Sequence, residues 1–203
     1  MRITVKAGPH TYKNCPMTAP VLAHDLEPGE ASLVDESGHR IPCQLFVERG
    51  EAVAAWIEEM LRQGETKVYR FETSPAGAKS RVDISEVAEC LEVKIGGKLF
   101  TRYNYSRQYP RPFLYPFTSH DGAQVTRSFP MRDDVPDEDH DHKHHRSVWI
   151  AYGEVNGTDN WCENPGHGWI RHQKFDEVTG GPVFGRIRST NLWTSSEGAR
   201  DMT

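Results

Sequence analysis

Apolar and polar residues alternate with a period of two along most of this chain, and that period belongs to β-strands. Arg2 to Lys6 alternates and is stopped by Gly8-Pro9. Ala31 to Val34 and Ile41 to Val47 flank Asp35-Glu36-Ser37-Gly38, a turn sequence, and together predict a hairpin. Lys67 to Thr73, Val82 to Val87 and Cys90 to Ile95 follow as strands. Gly96-Gly97 then predicts a tight turn into a return strand, Lys98 to Tyr105. Tyr109-Pro110-Arg111-Pro112 blocks helix, and Phe113 to Phe117 resumes as an aromatic-rich strand. His167 to Phe175 and Val183 to Trp193 are the last strands, separated by the turn at Thr179 to Pro182.

Three stretches break the pattern. Asn14 to Pro20 reads as a loop, and Pro130 to Asp141 as an acidic surface loop. Glu51 to Arg62 is rich in Ala, Glu, Met and Leu, with Gly64 placed to end a helix. Propensity there favours a helix, while the strands on either side favour a strand. Hairpin signals recur and no βαβ crossover is visible. The fold class is therefore mainly β, an antiparallel sandwich or barrel with little helix. Residues 1–19 read as an N-terminal strand and loop, and 20–203 as the main domain.

Composition narrows the function. The 203 residues carry a net charge of −5, against the basic stripe expected of a nucleic-acid binder. No apolar run approaches the roughly 20 residues of a membrane helix, and the start lacks a secretory core. A soluble, cytoplasmic protein is expected, with no nucleic-acid or membrane partner. The four cysteines, Cys15, Cys43, Cys90 and Cys162, are scattered without C-x-x-C spacing, so free thiols are expected. The polar tail runs from Ser195 to Thr203.

The densest chemistry lies between Asp139 and Trp161. His140, His142, His144 and His145 fall in its first seven residues, followed at once by Arg146. On a strand, His144 and Arg146 would share one face and His145 the other. A neutral imidazole can act as general acid or base, and an adjacent Arg can hold a substrate oxygen. The plainer reading is a structural His–Arg pair beside solvated histidines. A third reading places His140, His142 and His144 on one face with Asp139 or Asp141, a ligand set for a metal. Asn156-Gly157 predicts a turn, with Asp159 and Glu154 or Glu163 as possible carboxylate partners. Tyr105, Tyr109, Tyr115, Trp149 and Trp161 offer rings for sugar stacking, Trp161 being the better wall. His172, in W-I-R-H-Q, could complete a site from the next strand.

Four blocks carry a family resemblance: G-E-T-K-V-Y-R (Gly64 to Arg70), Y-P-R-P-F-L-Y-P (Tyr109 to Pro116), D-G-A-Q-V-T-R-S-F-P (Asp121 to Pro130) and H-H-R-S-V-W-I-A-Y-G-E-V-N-G-T-D-N-W (His144 to Trp161). Over roughly Pro20 to Trp193 the chain resembles the bacterial PmoA-like family of unknown function. The family takes its name from a membrane-bound methane monooxygenase subunit, a function not expected here. The resemblance implies a supersandwich like that of galactose-mutarotase-type, carbohydrate-handling proteins, and a strand at Ala52 to Met60. It also implies a domain that normally continues past the strand at Val183. A C-terminal truncation is therefore expected, with an exposed sheet edge open to self-association.

The expected function is a carbohydrate-active protein binding a sugar or modified glycoside in a β-sandwich cleft. The alternatives are a non-catalytic carbohydrate-binding module and a metal-dependent oxygenase or hydrolase. The catalytic candidates are His144, His145 and Arg146. The substrate-binding candidates are Asn156, Asp159, Trp161, Arg111 and His172. No metal ligand and no cofactor is assigned. His144 or His145, with Arg146, is expected to line the largest polar pocket beside Trp161 and Asp159.

Overall fold

The computed structural model describes residues 1–22, 26–77 and 81–196, and the backbone of 201–202. Of the polar tail, residues 197–200 and 203 lie outside the described residues. The described fold is all-β, with antiparallel sheets, one of them a half-barrel, and no helix. It is consistent with the β-sandwich class expected. Among the described residues no helix is long and apolar enough to cross a membrane. The contacts divide the chain into two compact units, residues 1–82 with 180–185, and residues 83–179 with 186–203.

The first unit is one six-stranded sheet. Its strands are β1 (Arg2–Lys6), β2 (Tyr12–Pro20), β3 (Gly29–Val34), β4 (Arg40–Glu48), β5 (Glu51–Leu61) and β6 (Thr66–Glu72). Their order is β1-β6-β3-β4-β5-β2. One face packs Leu33, Cys43, Ala54, Trp56, Tyr69 and Phe71 into a core. Here β5 settles the conflict between propensity and context. Ala54, Trp56 and Glu58 recur at every second position on the buried side, and β4 and β2 pair with the strand on both edges. The pairing satisfies backbone groups that an isolated helix would have to satisfy within itself, so context overrides the Ala- and Glu-rich composition.

Two expectations are corrected in this unit. Asn14 to Pro20 is not a loop but most of β2, paired with β5 from Tyr12↔Leu61 to Pro20↔Val53. The strand lies at the sheet's edge, the position where proline and polar side chains are tolerated, and these made it look irregular. The boundary drawn at residues 19 and 20 also falls inside this strand. The second correction concerns Val183 onward, read as the start of the last strand. Instead Val183 and Phe184 donate their backbone N–H groups to Gln44 Oε1, at 3.3 and 3.1 Å. Phe184 packs edge-on against Phe46. These long-range anchors draw residues 180–185 into the first unit.

The second unit holds β7 (Val82–Val87) apart from its first residue, β8 (Cys90–Ile95), β9 (Lys98–Asn104), β10 (Phe113–Phe117) and β11 (Val148–Trp149) in a sheet of order β11-β10-β9-β8-β7. A hairpin of β12 (Glu154–Val155) and β13 (Thr158–Asp159) follows. Then come β14 (Trp169–Thr179), β15 (Arg186–Thr194) and the short β16 (Asp201–Met202). The β14–β15 ladder runs from Trp169↔Thr194 to Thr179↔Arg186. It faces the larger sheet through Tyr103, whose hydroxyl lies 3.0 Å from Ser189 Oγ and whose ring packs against Phe175. On its other side β15 meets β16 only at Trp193 and Thr194 among the described residues.

Candidate functional site

The histidine block is a pinned loop, not a strand. Arg127 Nη1 donates to Asp141 Oδ1 at 2.6 Å, and its Nη2 donates to the carbonyls of Asp141 and His142 at 2.8 and 3.0 Å. Upstream, the Glu138 carboxylate accepts from the N–H groups of Ser128 and Phe129. His142 has a positive φ of 41°, and the His145 N–H donates to its carbonyl at 2.8 Å, closing a turn. Ser147 also has a positive φ, 60°. The strand alternation of His144, His145 and Arg146 therefore does not hold. The turn instead brings both imidazoles to one place.

That place is an aromatic wall. The rings of Trp149 and Trp161 stand 5.0 Å apart. His145 lies 5.4 Å from Trp149 and 5.7 Å from Trp161, and His144 lies 6.2 and 6.4 Å from the same two rings. The two imidazoles meet edge to face at 4.4 Å, and His142 stacks on His145 at 5.2 Å. Trp161 is 42% exposed and forms the open side. The Nε2 atoms of His144 and His145 are buried and have no hydrogen-bond partner among the described residues. Burial lowers the pKa of both imidazoles from the ordinary 6.5, and neighbouring cations and imidazoles add to this. Both rings are therefore neutral near pH 7.

The other candidates fall into clear roles. Arg146 makes a two-pronged ion pair with Glu163, its Nη2 donating to Oε2 at 2.8 Å and its Nη1 to Oε1. The pair is mostly buried, with side chains 14% and 10% exposed. Of the carboxylates the sequence offers, Glu163 and not Asp159 pairs with Arg146. Asp159 Oδ1 accepts from the N–H groups of Trp161 and Cys162 at 2.7 and 3.0 Å, and these bonds hold its pKa low. Its role is to shape the backbone that carries Trp161. Arg111 is only 2% exposed, so it cannot line a surface. Its Nη1 donates to the Trp161 carbonyl at 2.6 Å and its guanidinium lies over the Trp149 ring at 4.9 Å. It braces the wall from behind. Burial lowers its pKa, which the nearby Asp159 opposes.

Asn156 and Gly157 both have positive φ, 50° and 77°, and form the turn of the β12–β13 hairpin. Asn156 is exposed there. His172 belongs to a different cluster, with ring contacts to Tyr105 at 4.7 Å and Phe175 at 4.2 Å and Nδ1 lying 3.4 Å from Ser189 Oγ. His140 stacks on Phe129 at 4.5 Å, away from His144. The arrangement of His140, His142 and His144 on one strand face is thus not formed. Among the described residues no group of three His, Cys, Asp or Glu has the geometry to hold a metal.

A cavity of about 390 Å³ in the second unit adjoins the wall at Trp149 and is lined also by Tyr103, Phe113, Ser189, Asn191 and Trp193. A larger one, about 640 Å³, lies among residues of the first unit. His144, His145 and Arg146 line neither of these two cavities. The histidine turn is an open rim, pinned on the surface by exposed ion pairs rather than sunk between strands.

Sequence reasoning missed Arg127, Glu138 and the bracing role of Arg111, and it named Glu163 only as one of three candidate carboxylates. The first two lie in or beside the acidic loop, where composition said only that the chain was exposed. Arg111 lies 50 residues before its carbonyl partner at Trp161, and no local pattern encodes such a contact.

Fold and site together define an antiparallel β protein with a paired-histidine, paired-tryptophan rim. Residues 90–203 match a family of unknown function (DUF6807), and the chain belongs to that family. No match was found among curated proteins or among solved structures.

Proposed function

We propose that this is a carbohydrate-active protein that binds a sugar or modified glycoside against Trp149 and Trp161, with His144 and His145 as its hydrogen-bonding and proton-exchanging groups. The observation that carries this reading is the pair of buried Nε2 atoms without a partner among the described residues. A buried polar atom left unpaired is costly, so a small ring rotation toward the open side at Trp161, where an outside partner can reach the nitrogen, is favoured. A sugar hydroxyl suits either imidazole tautomer, because it both donates and accepts. The tryptophan rings supply apolar faces for the C–H side of a pyranose. The cavity beside Trp149 falls in the range of roughly 300–1,000 Å³ typical of small-molecule sites, and Ser189, Asn191 and Tyr103 give it polar edges. Neutral imidazoles at pH 7 are also the form that accepts a proton in general-base chemistry. The resemblance to the PmoA-like family and to mutarotase-type proteins supports the same ligand class.

A second reading, a non-catalytic binding module using the same rim, has its own support. Glu163 is fully engaged by Arg146, and one oxygen of Asp159 is held by two amides. Glu163 is therefore not free to act as the second member of an acid–base pair, and Asp159 keeps one oxygen for it. Calorimetric titration with a panel of monosaccharides, uronic acids and short glycosides tests both readings. Saturable binding that Trp161→Ala weakens at least tenfold supports the site. Turnover of a bound ligand, lost in the His144→Ala/His145→Ala double variant, separates enzyme from module. Absence of binding across the panel by a folded protein overturns both.

A further inference from the structure

We propose that the first unit carries a second ligand site, in the cavity above Glu58, and that it takes a small organic amine with an apolar body. The cavity measures about 640 Å³, and every residue that lines it belongs to the first unit. Its floor is a polar network set among core side chains. Glu58 is 3% exposed and follows Ala54 and Trp56 along the buried side of β5. Its Oε1 accepts from Lys67 Nζ at 2.8 Å, and its Oε2 accepts from the Tyr69 hydroxyl at 2.6 Å and from Trp56 Nε1 at 3.4 Å.

A buried ion pair is by itself weak evidence for a stabilising role. A well-packed apolar group in place of a buried ion pair is often neutral or stabilising, because desolvating two charges is expensive. A buried, fully hydrogen-bonded polar floor beneath a cavity is the arrangement that fixes a ligand's orientation. The ligand's sign follows from the walls. Among the described residues, Asp35, Glu36, Glu59 and Glu65 join Glu58 around the cavity, against Lys67 and Arg81 as fixed cations. Lys67 is already committed to Glu58 and to the Met60 carbonyl. Burial opposes ionisation of Glu58, but the bonds from Lys67, Tyr69 and Trp56 outweigh it and keep the carboxylate charged. Ile41, Ile57 and Val68 line the same space and suit a hydrocarbon body. Negative charge with apolar walls favours an ammonium on an apolar stem over a neutral or anionic molecule.

Benzylamine and its neutral counterpart benzyl alcohol are the probes, titrated into the full chain by calorimetry and by amide chemical-shift mapping. The proposal expects saturable benzylamine binding, with the largest shifts at Glu58, Lys67 and Tyr69, and benzyl alcohol at least tenfold weaker. Glu58→Gln should weaken the amine strongly, but it also disturbs the core. The exposed pair Glu36→Gln/Glu59→Gln keeps the fold and should weaken benzylamine at least fivefold. Trp161→Ala should leave amine binding unchanged, so that failure of the sugar reading and failure of this one are distinguishable. Equal binding of both probes, no saturation by the amine, shifts outside this cavity, or insensitivity to the Glu36/Glu59 pair would overturn the proposal.

Discussion

Arg146 decides how the rim is read, because its whole carboxylate-binding fork is spent on Glu163. Arg146→Met should leave Glu163 buried and unpaired and should cost about 3 kcal/mol, the order for breaking a buried pair from one side. Urea unfolding measures this, and Arg146→Met/Glu163→Leu should recover most of the loss. A small loss in the single variant would mean that Arg146 is free for ligand. His144 and His145 make a second prediction at this scale. Their folded pKa values lie below the unfolded value of 6.5. The unfolded chain therefore binds their protons first. Their contribution to stability is complete above about pH 6.5 and is lost as pH falls through the lowered folded values. The urea midpoint should drop between about pH 7.5 and about pH 5, and less so in a His144→Gln/His145→Gln protein. An equal drop in both proteins would place the acid sensitivity elsewhere.

Elements position these residues, and one close approach is a sharp test of how. Gly168 lies just before β14, and its N–H donates to the Asp159 carbonyl at 2.7 Å. A Cβ at Gly168 would stand 2.8 Å from the Thr194 backbone carbonyl and in collision with Asn160, which is fully buried. Gly168→Ala should therefore cost about 1–3 kcal/mol, as overpacking does, and loosen the Trp161 segment. Thermal denaturation and Trp161 fluorescence would report it, and an unaffected protein would show that the segment yields without strain. Period-two alternation made β6, β8, β9 and β10 legible in the sequence, because each has one face toward apolar neighbours. It failed at β2, where an edge position removes the need for apolar side chains. Composition alone misled at β5, whose alanines and glutamates serve a strand held from both sides.

At the scale of the molecule, the sequence showed an antiparallel β chain and gathered His144, His145, Trp149 and Trp161 into one block. The membership of residues 180–185 in the first unit was hidden, because Gln44 captures the amides of Val183 and Phe184 from 139 and 140 residues away. The polar floor under Glu58 was hidden for a related reason. Within E-A-V-A-A-W-I-E-E-M-L, Glu58 looks like any solvated glutamate until Lys67 and Tyr69 of β6 are brought beside it.

The central claim is that a sugar hydroxyl partners the buried imidazole nitrogens of His144 and His145. Nitrogen-15 NMR of the histidine side chains, recorded with and without saturating sugar from the calorimetric panel, measures this directly. The account predicts that the Nε2 resonances of His144 and His145 shift on saturation, while those of His172 and His140 keep their free positions. A sugar that saturates the protein yet leaves both Nε2 resonances unmoved would contradict it.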